Sequence, residues 1–168
     1  MAKYLENNAG QIREVSGLTT SSGAGDAGKI PQLDSSGRLD NSLMPTGIGA
    51  DTEVMATSEN LSSGELVNIW NDGGTRKARK ADASNGRRAH GFVLAGTTSP
   101  NNATVYFSGD ITGLTSLTPG NPMYLSGTTA GAATATAPST AGQISQEIGI
   151  AISATAITFE AQQPITLA

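Results

Sequence analysis

Beyond residue 50 the sequence is cut by turn-forming residues roughly every ten positions, which leaves room for many short strands and none for long helices. Residues 65–70 alternate apolar and polar and run into Asn71-Asp-Gly-Gly74, a strong hairpin turn. A basic strand is expected at 75–81, and further strands at 90–95, 103–107, 122–126, 147–152 and 156–159. In the 147–152 run Ile148, Ile150 and Ile152 recur at period two, which places them on one face. The pattern predicts an all-β domain, a small barrel or a sandwich, over 51–168.

This region also echoes itself. Leu61-Ser-Ser-Gly-Glu-Leu-Val-Asn-Ile returns as Leu117-Thr-Pro-Gly-Asn-Pro-Met-Tyr-Leu, and His90-Gly-Phe-Val-Leu as Ile148-Gly-Ile-Ala-Ile. Val105-Tyr-Phe107, leading to Ile111-Thr-Gly, returns as Ile157-Thr-Phe159, leading to Ile165-Thr-Leu. The echoes read either as chance similarity among glycine-punctuated strands or as a domain built from two related halves.

The first fifty residues have a different texture. After a helical turn expected near 3–8, apolar residues stand alone: Ile12, Val15, Leu18, Ile30, Leu33, Leu39, Leu43, Met44, Ile48. Pro31 and Pro45 forbid a continuous helix, and Asp34-Ser-Ser-Gly37 fits a type I turn. Such a segment buries too little apolar surface to offset the entropy of ordering it. An extended N-terminal arm over 1–50, ordered by lying along another surface, is the expectation.

Chemistry is excluded more readily than assigned. The absence of cysteine removes disulfides and thiolate metal sites, and the single His90 leaves no pair for zinc or for a catalytic relay. Gly23-Ala-Gly-Asp-Ala-Gly28-Lys29 imitates a phosphate loop, but no strand precedes it, Ile30 stands where Ser or Thr should hold magnesium, and Pro31 blocks the helix. Asp34 and Asp40 lack calcium-loop spacing. Asn60 and Asn102 match glycosylation acceptors only formally, because no apolar leader opens the sequence. No enzymatic activity and no cofactor are expected. No apolar run reaches the length of a membrane-spanning helix, so no membrane partner is expected. The chain is expected to be made and used in a cytoplasm or in an assembly formed there.

Charge is uneven. All ten Lys and Arg lie at or before Arg88, and from Ala89 onward only Asp110, Glu147 and Glu160 carry charge. The densest cluster is Arg76-Lys-Ala-Arg-Lys80, with Arg87 and Arg88 nearby, yet residues 51–88 balance six basic against six acidic side chains. As a strand, the run puts Arg76 and Lys80 on one face and Lys77 and Arg79 on the other, a poor track for nucleic acid. It reads as a charge-guarded edge strand or as a contact for an acidic partner surface.

The stretch Ala27-Gly-Lys-Ile-Pro-Gln-Leu-Asp-Ser-Ser-Gly-Arg-Leu-Asp-Asn-Ser-Leu-Met-Pro45 resembles a segment that precedes β domains in tailed-bacteriophage tail-fibre and capsid-associated proteins. From Glu53 onward the chain resembles small phage capsid decoration (cement) proteins. The likeness rests on Gly-x-x-Val-x-Ile at 64–69, His-Gly-Phe-Val at 90–93 and Leu-Thr-Pro-Gly-x-x-x-Tyr-Leu at 117–125. The resemblance implies a homotrimer on the capsid surface of the virion, bound to the major capsid protein and bridging capsomers. Ile30, Pro31, Leu33, Leu39, Leu43 and Met44 of the arm, with Arg76, Lys77, Arg79 and Lys80, are then the candidates for capsid or inter-subunit contact. Two other readings stay open: a tail, baseplate or fibre component, as adaptor or receptor-binding tip, and a carbohydrate module using Trp70, Tyr106 and Tyr124.

Overall fold

Glycine-rich turns and short apolar runs give strands throughout the computed structural model, which describes residues 3–44 and 51–168. The chain divides into two compact units, Met1–Gly49 and Ala50–Ala168. The expected features at Pro45 and Ile48 and the 50/51 boundary itself fall on or beside residues outside those described.

In the first unit, β1 (Lys3–Asn8) and β2 (Gln11–Ser16) form an antiparallel hairpin in register from Lys3↔Ser16 to Asn8↔Gln11. The helical turn expected at 3–8 is therefore corrected to a strand. Ala9 and Gly10, both at positive φ, close a two-residue turn, and cross-strand pairs Lys3–Glu14 (2.5 Å) and Arg13–Glu6 (2.7 Å) brace it. Further on, Leu18 bridges Pro31. The Leu18 N–H donates to the Ile30 carbonyl (2.8 Å) and the Gln32 N–H to the Leu18 carbonyl (2.9 Å). The Asp34–Gly37 turn forms as expected, with the Gly37 N–H donating to the Asp34 carbonyl at 3.1 Å.

The second unit holds β3 (Thr52–Ala56), β4 (Leu66–Asp72), β5 (Thr75–Lys80), β6 (Gly91–Phe92), β7 (Asn102–Tyr106), β8 (Gly109–Thr112) and β9 (Pro122–Leu125). These are followed by β10 (Ala133–Thr134), β11 (Ile144–Ser145), β12 (Glu147–Ser153), β13 (Ala156–Phe159) and β14 (Ile165–Thr166). Gly73 and Gly74, both at positive φ, form the β4–β5 turn. Two five-stranded antiparallel sheets result, ordered β3-β7-β6-β4-β5 and β8-β13-β12-β9-β10, while β11 and β14 pair separately. The architecture is that of an all-β sandwich, with no closed barrel among the described residues.

The two sheets share one topology, strand for strand, and the register carries over. Val67↔Gly91 and Leu66↔Phe92 in the first sheet are matched by Met123↔Gly149 and Pro122↔Ile150 in the second. Phe92↔Tyr106 is matched by Ile150↔Thr158, and Ile69↔Ala78 by Leu125↔Ala133. Backbone bonds repeat too: the Gly64 N–H donates to the Val93 carbonyl (2.8 Å) as the Gly120 N–H does to that of Ala151 (2.7 Å). Equivalent glycines have equivalent reasons. A Cβ on Gly91 would lie 2.5 Å from the Tyr106 carbonyl oxygen, and one on Gly149 would strike that of Thr158. The sequence echoes are thus a duplicated five-stranded module. The last continuation fails: Ile111 lies in the second sheet, whereas Ile165 pairs in the separate β11–β14 ribbon.

Two cores follow. Met55, Leu61, Val67, Ala78, Val93, Ala103 and Val105 fill the inner face of the first sheet. The larger core joins Leu66 and Phe92, on the opposite face of that sheet, to Ile111, Met123, Leu125, Ile148, Ala151, Ile157 and Phe159 of the second half. Phe92 stacks on Tyr106 (centroids 5.4 Å) and tilts against Phe159 (5.3 Å). The expected single face for Ile148, Ile150 and Ile152 is corrected. The β12–β9 register shifts between Glu147 and Gly149, so Ile148 turns inward while Ile150 and Ile152 face solvent. An extra residue in one strand reverses the alternation beyond it.

Candidate functional site

No apolar side chain among the described residues of the first unit is buried; only Gly17 is. Its backbone is ordered by local polar contacts instead. The Asp34 Oδ1 accepts from the N–H groups of Ser36 (2.8 Å) and Arg38 (2.9 Å), and the Asp40 Oδ1 accepts from the Ser42 N–H (2.9 Å) and hydroxyl (2.6 Å). Those Ser42 bonds hold the Asp40 carboxyl below its usual range. Ser42 Oγ in turn accepts from the Ser21 N–H at 2.8 Å, linking two stretches of the unit. Order obtained this way leaves the apolar side chains outward: Ile30, Pro31, Leu33, Leu39 and Met44 are exposed and Leu43 is partly so.

The phosphate-loop imitation is occupied by its own acid. Residues Ala24–Asp26 make one 3-10 turn, and the Asp26 carboxylate accepts from Lys29 Nζ (2.5 Å) and the Ser22 N–H (2.6 Å). Lys29 first and Ser22 second lower the Asp26 pKa. The lysine and amide that would meet a phosphate are already engaged by a carboxylate.

The run Arg76–Lys80 lies on β5, last in its sheet order, with its outer side bridged at Ala78 by Thr57, and Arg87 lies beyond the strand. Arg76 pairs with Glu53, Lys77 with Asp72 (2.8 Å), Lys80 with Glu65 (2.5 Å) and Arg87 with Glu59 (2.8 Å). Arg79 lies 4.3 Å over the Trp70 ring and donates through Nε to the Asn68 Oδ1 at 2.9 Å. Register explains the grouping: Arg79 opposes Asn68 and Lys77 opposes Trp70, so all four share one face. Pairing turns the run into a neutralised edge rather than an open positive field.

A third feature has no signature in the sequence. Gln146, buried beside β12, accepts through Oε1 from the Ala89 N–H (2.8 Å) and donates through Nε2 to the carbonyls of Ala89 (3.0 Å) and Gln162 (3.0 Å). One amide thereby pairs with the main chain of the first half as a strand would, and holds the second half to it. Beside it opens a cleft of about 280 Å³ lined by Arg88, His90, Phe107, Phe159 and residues 161–164. His90 Nδ1 accepts from the Ile69 N–H at 2.9 Å. Burial first, and the Arg88 guanidinium second, lower its pKa, so it is neutral at pH 7. The described residues contain no group of three or more His, Cys, Asp or Glu side chains arranged to hold a metal, and no helix long and apolar enough to cross a membrane.

The sequence-predicted contact residues thus separate into an apolar set on the first unit and a basic set on β5, in the second, of which Arg76, Lys77 and Lys80 are ion-paired and Arg79 stacks on Trp70. Comparison with protein-family models, with curated protein sequences and with solved structures gave no match to this chain.

Proposed function

We propose that the chain is a non-enzymatic structural protein of a phage virion, binding the outside of the capsid as a trimer and bridging capsomers. The observation that carries this reading is the first unit. Its backbone is set by turns, caps and a hairpin, and its large apolar side chains are displayed rather than buried. A segment of that kind gains apolar burial only against another surface. Ile30, Pro31, Leu33, Leu39, Leu43 and Met44 all lie within Ala27–Pro45, the stretch that resembles phage structural proteins. Three arms on one trimer would act together, so a small contact per copy suffices for stable attachment.

The basic run of β5 supports a structural rather than a nucleic-acid role, since Arg76, Lys77 and Lys80 each have an acidic partner and form no open positive field. Copy number in purified particles tests the reading. A decoration protein is present in hundreds of copies over the head, whereas a tail, baseplate or fibre component appears in a few copies at one vertex. Absence of head-bound copies by cryo-microscopy would sink the proposal. Deleting residues 2–45 is expected to leave the β unit folded and to abolish stable particle binding; equal binding by the truncated chain refutes the role of the arm.

A further inference from the structure

Arg88 closes the basic stretch of the second unit and differs from the rest of it. Arg76, Lys77, Lys80 and Arg87 each meet a carboxylate, and Arg79 stacks on Trp70. Among the described residues the Arg88 guanidinium meets no acid; its side-chain contact runs from Nε to His90 Nε2 at 2.8 Å. That contact satisfies neither group. His90 Nδ1 faces two donors, the Ile69 N–H at 2.9 Å and the Asn68 Nδ2 at 3.4 Å. The Asn68 amide is oriented by its other bonds: Nδ2 donates to the Arg88 carbonyl (2.9 Å) and Oδ1 accepts from Arg79 Nε (2.9 Å). Nδ1 is therefore an acceptor, and a neutral imidazole then carries its proton on Nε2. Arginine does not give up a proton. Two N–H donors, Arg88 Nε and His90 Nε2, thus face each other at the cleft with no acceptor between them.

We propose that this cleft is a carboxylate site, one oxygen accepting from the Arg88 guanidinium and the other from His90 Nε2. A planar acceptor with two oxygens suits two donors set side by side, and it relieves their opposition. The walls narrow the choice further. Arg88 is the one charged residue among those lining the cleft, so a single negative charge is matched and a doubly charged phosphate is not. Phe107 and Phe159 offer apolar wall to a short stem behind the carboxylate. A volume of about 280 Å³ is at the small end of ligand pockets and suits a group the size of one side chain. A free short-chain acid and the acidic side chain of a protein present the same chemistry there. The site involves neither the arm nor a particle, so it stands or falls separately from the proposed function.

His90 is the single histidine, so its two ring nitrogens give isolated signals in nitrogen NMR of the full chain. At neutral pH these should report the Nε2–H tautomer. The Nδ1–H tautomer overturns the inference, because Nε2 would then simply accept from Arg88. Butyrate, used as the probe, should shift the Nε2 signal saturably with a Kd of about 1–10 mM. Butyramide, the same shape without the charge, should not. Arg88→Gln alters an exposed residue and should weaken butyrate binding at least about tenfold with an unchanged circular dichroism spectrum. N-acetylglutamate methylamide, a side-chain carboxylate on a peptide unit, separates the two sources. Binding at least as tight as that of butyrate assigns the cleft to an acidic side chain, and weaker binding assigns it to a free acid. No saturable shift from either probe, an equal response to phosphate or chloride, or binding that survives Arg88→Gln overturns the proposal.

Discussion

Replacing Gln146 by alanine is the sharpest test of how the two halves are joined. The side chain is 2% exposed and makes three hydrogen bonds, two of them to Ala89, itself buried. A net contribution of about 1 kcal/mol per bond gives about 3 kcal/mol for truncation. The Gln162 carbonyl belongs to an exposed residue and can turn to water, which lowers the figure. The Ala89 N–H and C=O are left facing a cavity, which raises it unless water enters. A loss of about 2–4 kcal/mol is expected, lowering the midpoint of thermal unfolding by on the order of 10 °C in a unit of this size. Chemical denaturation followed by circular dichroism and by the fluorescence of Trp70, the single tryptophan, measures it. Gln146→Glu separates hydrogen bonding from volume. It keeps the acceptor for the Ala89 N–H and loses the donor, so a buried carboxylate would face two carbonyls. Its pKa must rise on folding, and the deficit against wild type should widen as pH goes from 5 to 8. A Gln146→Ala variant within about 0.5 kcal/mol of wild type would refute the clamp.

Other perturbations follow from named contacts. Gly91→Ala and Gly149→Ala each drive a Cβ into a backbone carbonyl and should prevent folding, whereas Gly142→Ala, with open space around it, should cost about 1 kcal/mol; thermal melts distinguish them. Because the His90 pKa is lowered in the folded state, stability should be level above pH ~6.5 and fall as pH drops below that unfolded value; an NMR titration placing His90 at or above 6.5 contradicts this. Arg79→Ala should cost about 1–2 kcal/mol and shift Trp70 emission, because it removes the stacked cation and the Asn68 bond together. Lys77→Ala removes one ion pair at the surface and should change urea stability by less than about 0.5 kcal/mol.

Strand existence was legible from alternation and turn chemistry: the Asn71–Gly74 turn, the 156–159 strand and the echoed motifs up to their last continuation fall where the residues put them, while the strand expected at 90–95 shortens to Gly91–Phe92. The hairpin at 3–16 was not. Leu5 and Ile12 are isolated and exposed, so the apolar periodicity that marks a strand is missing, and cross-strand ion pairs take its place. The β12 faces were misread because a bulge resets alternation without altering composition. Gln146 was invisible for a different reason: a single amide pairing with distant backbone leaves no pattern near itself. Of the proposed contact residues, exposure of the arm's apolar side chains followed from their isolation. The fate of the basic run depended on Glu53, Glu59 and Glu65, whose positions opposite it only folding determines.

The two halves show how one backbone plan is divided between cohesion and display. Register, turn glycines and inner-face hydrogen bonds are common to both, so the differences lie in side chains on the outer faces and edges. The first half places Leu66, Phe92 and Tyr106 outward, where the second half covers them, and lines its edge with paired ions. The second half substitutes Pro122, Ile150 and Thr158 and omits basic residues altogether. An edge studded with paired charges discourages chance strand pairing, whereas a charge-poor apolar face does nothing to discourage association. The asymmetry therefore lies in side chains alone, and it arises without any change in the fold that the halves share.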